Sequence, residues 1–277
     1  MGRDLMSPVG ILDATHPAAA RAAAPWLGVY WLCLIPFRLA QVHFARELAL
    51  LGTSAPDYLD YLTGLAWGVF AAFLPAVYGR AVWVRACGLT LQSGTGVGAE
   101  ALRVPPAALA SSFYLALLTE ALFCLTAWMF ITLPLLAILT GVVCVAAQEV
   151  ERPGLFRPIA AAGRLLARPG ILISLAFTYT VALVIAYFNV YAAFVGGLWA
   201  AQAVGGDRLA RWNHLLRPGS FVLVPAEPLA ACLYVAGAIL IVEPFWLASL
   251  TVYAHRTQWR RTGDDLRLAF RTLTEGR

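Results

Sequence analysis

LAACLYVAGAILIVEPFWLASLTVYA, residues 229–254, is a run of 26 residues with one charge, Glu243, followed at once by Pro244. About 20 helical residues cross the hydrocarbon core of a bilayer, so this run is long enough to span one. It leaves the apolar stretch through His255, Arg256, Arg260 and Arg261. A carboxylate inside such a span is costly and requires a partner, a water-filled cavity or a task.

The rest of the chain has the same character. It is 61% hydrophobic and 13% charged, against roughly 45–50% and 25% for a soluble domain. Six apolar segments stand out, at about 26–48, 58–78, 107–128, 133–147, 171–199 and 229–254. Lipid cannot satisfy an open sheet edge, and no segment alternates like a barrel strand, so the spans are helices. The expected fold is all-α: an integral membrane bundle of six transmembrane helices with short amphipathic interfacial helices. Residues 1–277 form one transmembrane domain, with 255–277 as a cytoplasmic amphipathic tail. The third and fourth spans are joined closely enough to form a hairpin.

Arginine sets the expected threading. The net charge of +5 comes from 20 arginines and no lysine. With the N-terminus inside, 15 arginines fall on inner segments and four (Arg46, Arg208, Arg211, Arg217) on outer ones, and Arg38 lies within the first span. Arg80 and Arg85 count as the basic inner exit of the second span. This separation is expected to place both termini on the inner, cytoplasmic side. Residues 1–24 carry Arg3, Asp4, Asp13, His16 and Arg21 with no apolar signal core, so entry is expected to use the first span itself.

Two inner segments read as interfacial. In the first, Phe156, Ile159 and Leu166 lie among Arg157, Arg164 and Arg168. In the second, beyond Gly263, Leu266, Phe270 and Leu273 share a helical face and form a candidate partner-docking surface. Asp264 and Asp265 suit the positive end of that helix. The segments outside the membrane are too short to fold alone, since chains below roughly 40 residues rarely do. That excludes a nucleotide-binding, soluble hydrolase or DNA-binding domain; no nucleic-acid partner is expected, and membrane lipids are.

Gly94-Thr95-Gly96-Val97-Gly98 lacks the strand that a dinucleotide fingerprint needs and reads as a turn. The five cysteines, Cys33, Cys87, Cys124, Cys144 and Cys232, form no CxxC pair and read as small packing residues. No metal or other cofactor is expected. Gly64 and Gly68 in the second span, and Gly196 and Gly197 with Ala192 and Ala193 in the fifth, have the small-residue spacing of helix packing. They serve contacts within the chain or, alternatively, between two copies.

The candidates for chemistry are the intramembrane polar residues Arg38, His43, Glu120, Asn189 and Glu243. Arg38, Glu120 and Glu243 each fall near mid-depth at about 1.5 Å of rise per residue. Arg38 is expected to pair with one carboxylate, and Glu243→Gln to be tolerated if that carboxyl is protonated. Pro36 and Pro244 are expected to kink their helices near these charges.

Val242-Glu243-Pro244-Phe245, the later Thr262-Gly263-Asp264-Asp265-Leu266-Arg267 and Tyr78-Gly79-Arg80-Ala81-Val82-Trp83-Val84-Arg85 together resemble a family of bacterial multi-span membrane proteins. That family is loosely related to the membrane domain of some glycerophosphodiester phosphodiesterases. The resemblance implies a six-helix inner-membrane protein without a known catalytic residue. By analogy its partners are AAA-type ATPases or membrane proteins carrying envelope-enzyme domains. The phosphodiesterase activity belongs to a separate soluble domain, which this chain lacks. The leading expectation is therefore a non-enzymatic membrane subunit or scaffold. The alternatives are a small transporter or permease subunit using Arg38, Glu120 and Glu243, and an intramembrane enzyme acting on lipid.

Overall fold

The computed structural model describes residues 7–49, 58–126, 132–148, 157–166, 169–205 and 228–262. Within them the chain forms seven α-helices: α1 Pro8–Ala49, α2 Tyr58–Ser93, α3 Pro106–Thr126, α4 Thr132–Gln148, α5 Arg157–Leu165, α6 Pro169–Gly205 and α7 Pro228–Thr262. A single 3₁₀ turn, Ala99–Leu102, joins α2 to α3. The protein is a helical membrane bundle. The helices of α1, α2, α6 and α7 are each long and apolar enough to cross a bilayer, whereas α3 and α4 are shorter.

α7, whose sequence decides the fold, lies at the centre and packs against α1, α2, α4 and α6. Half of its most apolar window is buried, against about a third or less for the other three long helices. Three glycines let the helices approach. A Cβ at Gly79 of α2 would stand 2.7 Å from the Cys33 Cβ of α1. Gly141 of α4 lies directly under the Trp246 ring of α7, and Gly237 of α7 receives Val190 of α6. These are the intramolecular notches. At Gly64, Gly68, Gly196 and Gly197, where the spacing suggested packing, a Cβ would meet nothing within 4 Å. Small-residue spacing marks where a helix can be approached, but the neighbouring helix decides whether it is.

Helix extents differ from the sequence reading in two places. α1 begins well before residue 26. It breaks at Ala24 (φ −102°, ψ 122°), because the residue before a proline is pushed from helical to extended conformation. The preceding segment is nonetheless helical. Ser7 Oγ accepts from the Gly10 amide at 3.0 Å as an N-cap, and Ile11, Thr15, Ala18, Ala19 and Ala22 face the core. Its polar residues hid it in the sequence. α2, expected over 58–78, runs on to Ser93 and stops at Gly94, whose φ of +71° is the left-handed conformation of a helix C-terminal glycine. Arg80 therefore lies inside the helix and not on an inner flank.

The helix ends sort into two groups. At one end of the bundle Arg21 Nη1 donates to the Gly94 carbonyl (3.1 Å), Trp26 Nε1 to Val97 (3.0 Å), Tyr253 Oη to Leu165 (2.9 Å) and Arg256 Nη1 to Gly10 (2.9 Å). α5 is docked there through buried Ala161 and Leu165, and leaves Ile159 and Leu166 exposed beside Arg157. At the other end, Tyr58 Oη donates to the Glu47 carboxylate at 2.6 Å, and Arg46 Nη1 donates to it at 2.8 Å. Residues 266, 270 and 273, the expected docking face, lie outside the described residues.

Candidate functional site

Glu243 is the centre of the polar interior. It is 3% exposed, on the buried side of α7. Its Oε1 accepts from Arg80 Nε of α2 at 2.5 Å, and its Oε2 from Arg38 Nη2 of α1 at 3.3 Å. Arg38 is 5% exposed and Arg80 fully buried. Arg38 Nη1 also donates to Gln41 Oε1 at 2.6 Å, which holds the guanidinium in place from within α1. One carboxylate thus ties three helices together. Charge-assisted bonds of this kind are short and about twice as strong as neutral ones.

Pro244 adds a second set of ties. Proline has no amide N–H, so the carbonyl of Leu240, four residues earlier, loses its helical donor. Trp31 of α1 supplies the replacement, its indole Nε1 donating to Leu240 O at 3.0 Å. The carbonyl of Pro244 itself accepts from Trp83 Nε1 of α2 at 2.8 Å. This stretch of α7 is therefore joined to α1 and α2 twice, once through the Glu243 side chain and once through the carbonyls of Leu240 and Pro244. Trp83→Phe keeps the ring and deletes the donor. The expected loss is about 1 kcal/mol, the usual net worth of one hydrogen bond, read as a fall of a few degrees in the unfolding temperature in detergent.

Aromatic rings enclose the charges. Tyr30 stands 6.3 Å from Trp83, and Tyr179 of α6 stands 5.0 Å from Trp246. Both phenols are buried, within electrostatic reach of Glu243, Arg38 and Arg80. The carboxylate is thus bracketed by two guanidiniums with aromatic rings around them. Such an arrangement can hold three helices together. Among the described residues no group of three or more His, Cys, Asp or Glu side chains could hold a metal ion.

Of the polar residues singled out in the sequence, Arg38 and Glu243 meet. His43 does not join them. It is exposed near the far end of α1, with Nε2 3.3 Å from Tyr61 Oη and Nδ1 3.9 Å from Glu47. Asn189 is exposed on α6 and donates to the Ile185 carbonyl at 2.9 Å. Glu120 belongs to α3, but its side chain lies outside the described residues. Arg80, Gln41 and Trp83 complete the centre without having been singled out for it. The signal for Arg80 was available, because Ala81-Val82-Trp83-Val84 continues the apolar run beyond it.

Comparison of the chain with protein-family models, with curated proteins and with solved structures finds no match.

Proposed function

We propose that the chain is a non-enzymatic, membrane-embedded subunit that anchors or organises a complex in a bacterial inner membrane. The observation that carries this reading is the enclosure of Glu243 between Arg38 and Arg80. A carboxylate in a transport path must meet water or substrate, whereas this one meets two guanidiniums and Gln41-supported packing. The enclosure weighs against transport through this centre and in favour of a rigid bundle that presents its ends to partners.

The threading is part of the proposal. α3 and α4 would complete six spans, since their 21 and 17 residues correspond to about 31 and 25 Å of helix. The end where Gly10, Gly94, Leu165 and Arg256 gather would face the cytoplasm, as the excess of arginine on those segments favours. The resemblance carried by Val242–Phe245 and the Thr262–Arg267 tail supports the same assignment. The partner would meet Leu266, Phe270 and Leu273 of the tail, a cytoplasmic ATPase or an envelope-enzyme membrane protein being the class the resemblance implies.

The test is purification of the intact chain from its native membrane in a mild detergent. A stoichiometric partner is expected, and it should be lost when residues 263–277 are deleted while the remaining chain stays monodisperse. Recovery of the intact chain without any stoichiometric protein would sink the subunit reading.

A further inference from the structure

Two buried phenols stand at the polar centre without a hydrogen bond. Tyr30 of α1 is 0% exposed and Tyr179 of α6 is 4% exposed. Neither hydroxyl oxygen reaches the surface, and neither has a partner among the described residues. A third such atom, Trp246 Nε1, lies over Gly141 of α4 and belongs to that contact. The two phenols arrive on different helix pairs. Tyr30 packs beside Trp83 of α2, and Tyr179 stacks on Trp246 of α7. Each is within electrostatic reach of Glu243, Arg38 and Arg80, and Tyr30 is within reach of Tyr179.

A phenol both donates and accepts. Buried polar atoms of folded proteins are satisfied, in the large majority of cases, by the protein or by ordered water. Two orphaned hydroxyls at one charged centre share the same surroundings and can share one partner. Those surroundings hold both signs of charge, the Glu243 carboxylate and the guanidiniums of Arg38 and Arg80. A neutral molecule that donates and accepts suits a site of mixed sign. An anion there would meet the carboxylate as well as the guanidiniums.

We propose that a buried water molecule bridges the Tyr30 and Tyr179 hydroxyls beside the Glu243 ion pairs. A buried water typically makes about three hydrogen bonds to groups that otherwise lack them. The two phenols supply two of these, and one is left for the charged cluster. Glu243 joins α1, α2 and α7 directly. The water adds α6, through Tyr179. It is enclosed, because both hydroxyl oxygens are shielded from the surface, and so it is no part of a path across the membrane. The inference stands on these two side chains and is independent of the subunit reading.

The experiment uses the full chain in lipid, in a crystal or cryo-electron-microscopy map at a resolution that shows ordered water. A peak about 2.8 Å from both hydroxyl oxygens is expected. Thermal unfolding in one detergent gives the second readout. Tyr30→Phe and Tyr179→Phe should each lower the unfolding temperature by a few degrees. The double variant should fall no further than the worse of the two, because the first deletion already releases the water. Hydroxyls without any partner give the opposite sign: each Phe variant is then neutral or more stable, and the proposal is overturned. A map that shows ordered water elsewhere and none between the phenols overturns it, as does either phenol bonded directly to a protein side chain, Glu120 included. So does a peak that gains anomalous signal when chloride is replaced by bromide, which marks an anion, or a file of waters reaching either face of the membrane. Additive losses in the double variant overturn it too, since they assign the phenols separate partners.

Discussion

Arg80→Ala is expected to remove most of the folded protein from detergent extracts. The guanidinium is fully buried and makes the shorter of the two bonds to Glu243, 2.5 Å against 3.3 Å from Arg38. Its loss leaves the buried carboxylate with Arg38 alone, and breaking a buried pair by removing one partner costs about 3–5 kcal/mol. That is a large share of the stability of any domain. Arg38→Ala should follow in the same direction with a smaller effect. Glu243→Gln, which the sequence alone suggested could be tolerated, is now expected to be damaging, because it leaves two guanidiniums facing a neutral amide. The double variant Arg80→Ala/Glu243→Gln should recover nothing relative to Arg80→Ala, since it leaves the buried Arg38 facing a neutral amide. Size-exclusion profiles and thermal unfolding of the four variants in one detergent give the comparison. Equal unfolding temperatures for wild type and Arg80→Ala would show that the bond does not hold the bundle.

Gly141→Leu should be the next most harmful change. The α4 backbone at Gly141 lies against the indole of Trp246. That ring is 3% exposed and stacked on Tyr179 behind it, so it has nowhere to retreat. Overpacking of this kind costs typically about 1–3 kcal/mol, occasionally more. The matched control is Gly64→Leu, at an exposed position where a Cβ meets nothing within 4 Å. The expected result is a drop of many degrees in unfolding temperature for the first and little change for the second. If the two behave alike, α4 does not seat on α7 at this point.

The legible part of the fold was the part the bilayer dictates. Long apolar runs announced α1, α2, α6 and α7, and Pro244 beside Glu243 marked the polar centre before any geometry was known. What escaped the sequence depends on neighbours. The helix before Ala24 carries Asp13, His16 and Arg21 and is buried only because it lies across other helix ends, with Arg21 reaching Gly94 and Arg256 reaching Gly10. Arg80 looked like an ordinary basic flank because it follows the apolar run from Tyr58 to Tyr78. Gly79 and Gly237 stand without a small residue four positions away, so no spacing rule finds them, while Gly64 and Gly68 satisfy the rule and face outward. Trp31 and Trp83 could not have been recognised as donors to the Leu240 and Pro244 carbonyls until the packing of α1 and α2 on α7 was known.

Those two tryptophans have a consequence for assembly. Runs of alanine, valine and leucine offer nearly the same surface after every 5.4 Å of helix translation, so such runs alone distinguish poorly between one vertical offset and the next. Glu243 and the carbonyls of Leu240 and Pro244 occupy little more than one turn, and four groups on α1 and α2 address them: Arg38, Arg80, Trp31 and Trp83. A slip of one turn, or a rotation by one residue, would lose all four interactions at once and would also unseat Trp246 from Gly141 and Val190 from Gly237. The cluster therefore works as a vernier. It sets which turn of α7 stands beside which turn of its neighbours, and so fixes the height at which each helix end emerges from the membrane.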